Sequence, residues 1–71
     1  MPAEAGMSKA TRRQIQEALI GLGYYQGPVD GIFGRGTRTA IRRFQRDLKA
    51  TATGHLTADE ANRLVTTQPS H

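Results

Sequence analysis

The sequence contains no cysteine, which excludes disulfide staples and thiolate metal sites. Its two histidines, His55 and His71, are too few and too far apart for a zinc site built on spacing, and neither has an orienting carboxylate in view. Its two serines, Ser8 and Ser70, lie at the ends of the chain. A hydrolase needs a nucleophile with a base, two carboxylates facing a cleft, or a metal, and the sequence offers none of these patterns. The expectation is a non-enzyme with no catalytic residue, no metal and no cofactor. Apolar runs never exceed a few residues, so no segment is expected to span a membrane. The opening stretch Met1-Pro2-Ala3-Glu4-Ala5-Gly6-Met7 lacks a basic region followed by an apolar one, so it does not read as a signal peptide.

What is present is basic. Ten Lys and Arg stand against six Asp and Glu, a formal net charge of +4. Six of the ten (Arg35, Arg38, Arg42, Arg43, Arg46, Lys49) fall within fifteen residues, opposed there by Asp47 alone. A field of one sign points to an anionic partner or to a solvated face. The 71 residues suffice for one domain, which at this size buries only about 60% of the surface its unfolded chain exposes.

Three helices follow from periodicity. Ile15, Leu19 and Leu22, with Ala18, fall on one helical face, which gives a helix over about 9–22. Thr11 to Gln14 fits a capping box, with Ser8 as a cap one turn earlier, and Gly23 suits the left-handed position past the helix end. Thr37, Ala40, Ile41, Phe44 and Leu48 give a second helix over about 35–50, with its arginines on the other side. Thr57-Ala58-Asp59-Glu60 is a capping box opening a short third helix whose apolar face is Ala61, Leu64 and Val65. No segment alternates with period two, so the fold class is all-α, a three-helix bundle.

The first two helices are joined by a long loop, Tyr24 to Gly34. Gly27-Pro28 and Asp30-Gly31 are turn dipeptides, while Tyr25, Val29, Ile32 and Phe33 are apolar enough to anchor the loop and order it. A weak internal repeat sets Asp30-Gly31-Ile32-Phe33-Gly34, Thr37 and Ile41 against Thr53-Gly54-His55-Leu56-Thr57, Glu60 and Leu64. Each copy is a glycine turn, an inward apolar residue and a helix start.

Ile15-Gln16, Leu19, Leu22-Gly23-Tyr24-Tyr25, Gly27-Pro28-Val29-Asp30-Gly31-Ile32-Phe33-Gly34, Thr37, Ala40-Ile41 and Phe44-Gln45 together resemble the type-1 peptidoglycan-binding domain family. The resemblance implies a three-helix module of the kind found beside catalytic domains in bacterial cell-wall hydrolases, transpeptidases and envelope proteins. It implies peptidoglycan as partner, through glycan strand or stem peptide, attachment to other domains of a larger protein, and a place in the periplasm or cell envelope. The second half departs from the family pattern, with Gly54 followed by Thr57 and Glu60, and helix two opens on Arg35-Gly36.

The candidate ligand-binding residues are Tyr24, Tyr25, Asp30, Gly31, Arg35, Thr37 and Arg38. One tyrosine suffices to anchor the loop, so Tyr25 is expected inward and Tyr24 outward, where a ring with an apolar face and a polar tip suits sugars and peptides. Asp30 either faces a ligand or ties down its own turn, and Thr37 reads as a local cap or packing residue. Arg35 and Arg38, nearest the loop, are placed to hold a carboxylate with paired hydrogen bonds. Ile32, Phe33, Phe44, Ile41 and Leu19 are expected in the core. The groove is expected between the loop and the start of helix two. Protein docking is the alternative function. Nucleic-acid binding is weaker, because helix-turn-helix joints take three or four residues and these run to about eleven and seven. The expected organisation is a disordered leader over 1–7, a monomeric domain over 8–66 and a disordered tail over 67–71.

Overall fold

The computed structural model describes residues 3–67, and residues 68–71, most of the expected tail, lie outside them. Among the described residues the chain forms three α-helices and no strand: α1 (Lys9–Gly21), α2 (Arg35–Asp47) and α3 (Ala58–Thr67). α1 packs against both α2 and α3. The core is built from Ile15, Ala18 and Leu19 of α1, Ala40, Ile41 and Phe44 of α2, and Ala61 and Leu64 of α3, closed by Tyr25 and Leu56 from the connections.

The caps set the helix limits. Ser8 Oγ accepts from the Thr11 amide at 3.1 Å, so α1 starts from Ser8 and the Thr11 box is not used. Thr57 and Glu60 cap α3 reciprocally: the Thr57 amide donates to Glu60 Oε1 at 3.0 Å, and the Glu60 amide to Thr57 Oγ1 at 3.2 Å. α1 and α2 end in the same left-handed cap. Gly23 (φ 85°) sends its amide to Ile20 O while the Tyr24 amide returns to Leu19 O. Lys49 (φ 59°) does the same to Arg46 O, followed by Ala50 to Gln45 O.

Lys49 carries a side chain where glycine is unstrained, a conformation that costs a non-glycine residue roughly 1–2 kcal/mol. Glycine gives some of this back through its freer unfolded chain. Lys49→Gly is therefore expected to stabilise the domain by on the order of 0.5–1 kcal/mol and to raise its melting temperature by several degrees. A melting temperature unchanged or lowered in circular dichroism would show that this cap carries no strain.

Several expectations need correction. The disordered leader does not hold from Ala3 on: Ala3–Gly6 is a 3-10 turn packed on α3, with Glu4 buried. Arg12 Nη2 donates to Glu4 O at 2.8 Å, and Arg38 and the Leu56 amide both reach the Glu4 carboxylate. The segment is held by polar contacts that leave no hydrophobic pattern in the sequence. Ile32 is not core either, being 64% exposed. Its carbonyl and amide face inward, accepting from Gln16 and donating to Asp30, and this turns its side chain to solvent. Val29, Leu22 and Leu48 are also exposed, the last two because they are helix C-caps, where helical phase ends. Phe33 is half-buried against the core, with the guanidinium groups of Arg12 and Arg38 at 5.8 and 5.5 Å from its ring centre.

Candidate functional site

Two buried glutamines position both connections. Gln16, fully buried in α1, accepts at Oε1 from the amides of Asp30 (3.0 Å) and Gly31 (2.9 Å). Its Nε2 donates towards Asp30 Oδ1 (3.1 Å), Ile32 O (2.9 Å) and Thr37 Oγ1 (3.2 Å). Gln45 of α2 repeats the arrangement at the second turn. Its Oε1 accepts from the Gly54 amide at 3.0 Å, and its Nε2 donates towards Thr53 Oγ1, His55 O and Glu60 Oε1. The sequence repeat is thus a physical one, with Gly31 and Gly54 both left-handed (φ 75° and 83°) so that their amides can turn towards a glutamine. The adjacent pairs Ile15-Gln16 and Phe44-Gln45 were the available signal, but a glutamine next to a core residue reads as solvent-facing until its partners are known.

These clamps decide what the loop can present. Asp30 closes its own turn, with the Ile32 amide on Oδ1 at 2.9 Å, and that bond, followed by the one from Gln16, holds its carboxyl below the ordinary carboxylate range. Gly31 and Thr37 are buried beneath it. Tyr25 is buried and donates from its hydroxyl to Pro28 O at 2.7 Å, its ring folding across Gly27 where any Cβ would collide with it. Arg38 is not the outward arginine expected. It pairs with Glu4 at 2.7 Å and donates to Gly54 O at 2.9 Å. Of the seven candidates, Tyr24, Tyr25 and Arg35 come together, while Asp30, Gly31, Thr37 and Arg38 are engaged in holding the fold.

Tyr24 is half-buried, with its ring edge-on to Phe44 at 6.1 Å and 67°. Its hydroxyl donates to Asp47, which raises its pKa, with burial adding to the effect. Three shallow hollows meet at this residue. The largest, of about 420 Å³, is lined by Tyr24, Tyr25, Gln26, Gly27, Arg35, Gly36 and Thr39, where a groove between loop and helix two was expected. A second, of about 310 Å³, adds Arg43 and Arg46, and a third, of about 280 Å³, runs over Phe44, Leu22 and Leu48 to Arg63. At the first hollow, α2 begins on Gly34 with no side-chain cap, so its opening amides and Arg35 leave a positive rim. Among the described residues no cluster of three His, Asp or Glu is grouped to hold a metal ion, and no helix is long and apolar enough to cross a membrane.

A three-helix module with two glutamine-clamped turns and a tyrosine-centred, basic-rimmed surface is a small binding-domain architecture. Residues 8–64 match the family described as "Putative peptidoglycan binding domain", and the chain belongs to that family. It is 47% identical over 49 residues to the localization factor PodJL of Caulobacter vibrioides, covering 69% of this chain and 5% of PodJL. It is 49% identical over 41 residues to the "Putative OxPP cycle protein OpcA" of Synechocystis sp., covering 58% of this chain and 9% of that protein. Among solved structures it is similar to SltB3 from Pseudomonas aeruginosa, crystallised in complex with NAG-anhNAM-pentapeptide. The TM-score is 0.76 and the identity 38%, covering 82% of this chain and 16% of the other. The chain therefore spans a small fraction of each relative.

Proposed function

We propose that this chain is a non-catalytic module that binds cell-wall peptidoglycan at the Tyr24 surface and so brings an attached protein to the bacterial envelope. The observation that carries the reading is the hollow of Tyr24, Tyr25 and Arg35, an aromatic floor with a cationic rim, within a member of a peptidoglycan-binding family. An apolar face beside a guanidinium matches the mixture of sugar rings and free carboxylates in that polymer. The crystallisation of SltB3 with a peptidoglycan fragment supports the same ligand class. Binding without catalysis is supported by the use made of four of the six carboxylates and of three threonine hydroxyls. Glu4, Asp30, Asp47 and Glu60, and the hydroxyls of Thr37, Thr53 and Thr57, are each hydrogen-bonded within the fold. So open a site implies weak affinity, about micromolar to millimolar, strengthened in use by tethering.

Retention on purified sacculi tests the site. Tyr24→Ala and Arg35→Ala are each expected to weaken retention by about tenfold, equivalent to ~1.4 kcal/mol. Arg13→Ala, an exposed arginine on α1 that lines none of the three hollows, removes the same charge and is expected to leave retention unchanged. Equal losses from Arg13→Ala and Arg35→Ala would reduce the attraction to net charge. Full retention in both Tyr24→Ala and Arg35→Ala would move the site elsewhere.

A further inference from the structure

We propose that the cleft holding Glu4 is a carboxylate-binding site of the module itself, occupied in cis by this one side chain and able to take the carboxylate of another peptide. This inference is independent of the wall-binding reading and concerns a different face, since none of its residues lines a hollow around Tyr24.

The receiving groups are already in place within residues 8–64, the span of the family match, whereas the carboxylate lies outside it. Arg38 Nη1 straddles both oxygens of Glu4, at 2.7 Å from Oε1 and 2.8 Å from Oε2. The Leu56 amide donates to Oε2 at 2.7 Å, and His55 Nδ1 stands 3.9 Å from Oε1. A guanidinium and a convergent backbone N–H are the donors that select a carboxylate. Arg38 is fixed there by its bond to Gly54 O and by its position over Phe33, so the donor is set before any anion arrives.

The surroundings carry more positive charge than one glutamate requires. Arg12 shares the Phe33 ring with Arg38, and Arg42 lies against Gly54, its Nη1 about 3.0 Å from where a Cβ on that glycine would sit. Arg12 Nε is buried with no hydrogen-bond partner among the described residues. A buried donor left unpaired is unfavourable. Glu4, arriving on a short 3-10 turn, satisfies the Leu56 amide and Arg38 with its carboxylate and Arg12 Nη2 with its carbonyl, and leaves Arg12 Nε unmet.

Glu4 is tethered, so it competes at an effective concentration in the millimolar range or above. An external carboxylate is therefore weakened in the wild-type chain and unmasked when Glu4 is removed. The experiment compares the wild-type 71-residue chain and Glu4→Ala by amide NMR and thermal melting. Acetate tests the shared chemistry, and sodium chloride at equal ionic strength is the reference. N-acetyl-glutamate amide presents a side-chain carboxylate and N-acetyl-alanine a terminal one, and the tighter of the two identifies the source.

In Glu4→Ala, carboxylates are expected to shift the Leu56 and Gly54 amides saturably and to raise the melting temperature by several degrees over chloride. The wild type is expected to respond at least tenfold more weakly. If Glu4→Ala is unfolded in chloride, acetate is expected to restore its cooperative transition. Two results overturn the proposal. One is a Glu4→Ala protein, folded or not, that responds to carboxylates no more than to chloride. The other is a wild type that titrates identically to the variant, which would mark a surface charge effect.

Discussion

Replacing Gln16 by alanine is expected to remove much of the chain's stability at 25 °C. The side chain is fully buried and fills both sides of its amide with the loop. Truncation strands the Asp30 and Gly31 amides, while the Ile32 carbonyl keeps the Gly34 amide at 3.0 Å. Each unsatisfied buried group costs about 1–3 kcal/mol, so the buried Gly31 amide and the part-buried Asp30 amide together cost up to roughly 2–6. A chain of this length has roughly 4–10 kcal/mol of stability in total. Gln45→Ala is expected to be milder. The second turn satisfies part of its own demand, with Thr53 Oγ1 donating to His55 O at 2.9 Å and accepting from the His55 amide at 3.1 Å. Urea titration followed by circular dichroism ranks the two. A cooperative Gln16→Ala transition close to wild type, or a Gln45→Ala loss equal to it, would show that the clamp does not hold the loop.

The ranking also marks how far the sequence could be read. Helix existence and phase were legible because a three-and-four spacing of Ile15, Ala18 and Leu19, or of Thr37, Ala40, Ile41 and Phe44, has one geometrical meaning. The capping box of α3 was legible for a similar local reason, and the inward Tyr25 is found buried, whereas Tyr24, expected outward, is half-buried against Phe44. The loop was only half legible. Its glycines and Asp30 signalled the turn, but whether Ile32 or Phe33 faces the bundle depends on which backbone groups Gln16 draws inward, a contact across sixteen residues. Arg38 was misplaced for a more remote cause. Its partner, Glu4, lies thirty-four residues earlier, in a segment with nothing periodic to reveal its docking. Non-local polar pairings of this kind leave no pattern in a single chain, and they are what divides the site candidates into surface and scaffold.

Phe44→Ala is expected to have the other large effect, and it links the core to the surface. The ring is buried at the centre of α2, and removing it costs about 3–5 kcal/mol in cavity and lost transfer energy. The edge-on pair with Tyr24 adds about 0.5–1.5 kcal/mol that alanine cannot replace. Together these approach the whole stability of so small a domain, and the variant is expected to lack a cooperative melt at room temperature. Phe44→Leu refills most of the volume and is expected to cost only about 1–2 kcal/mol, so it folds. It does not restore the aromatic edge against which Tyr24 is set, and Phe44 itself lines one of the three hollows that meet there. Phe44→Leu is therefore expected to bind sacculi several-fold more weakly than its modest loss of stability explains, while Ile41→Val, a core change at a residue that lines none of the three hollows, does not. A Phe44→Ala melt within a few degrees of wild type would remove Phe44 from the core. Undiminished retention in folded Phe44→Leu would mean that Tyr24 needs no support from beneath, and the link between core packing and ligand surface would then be lost.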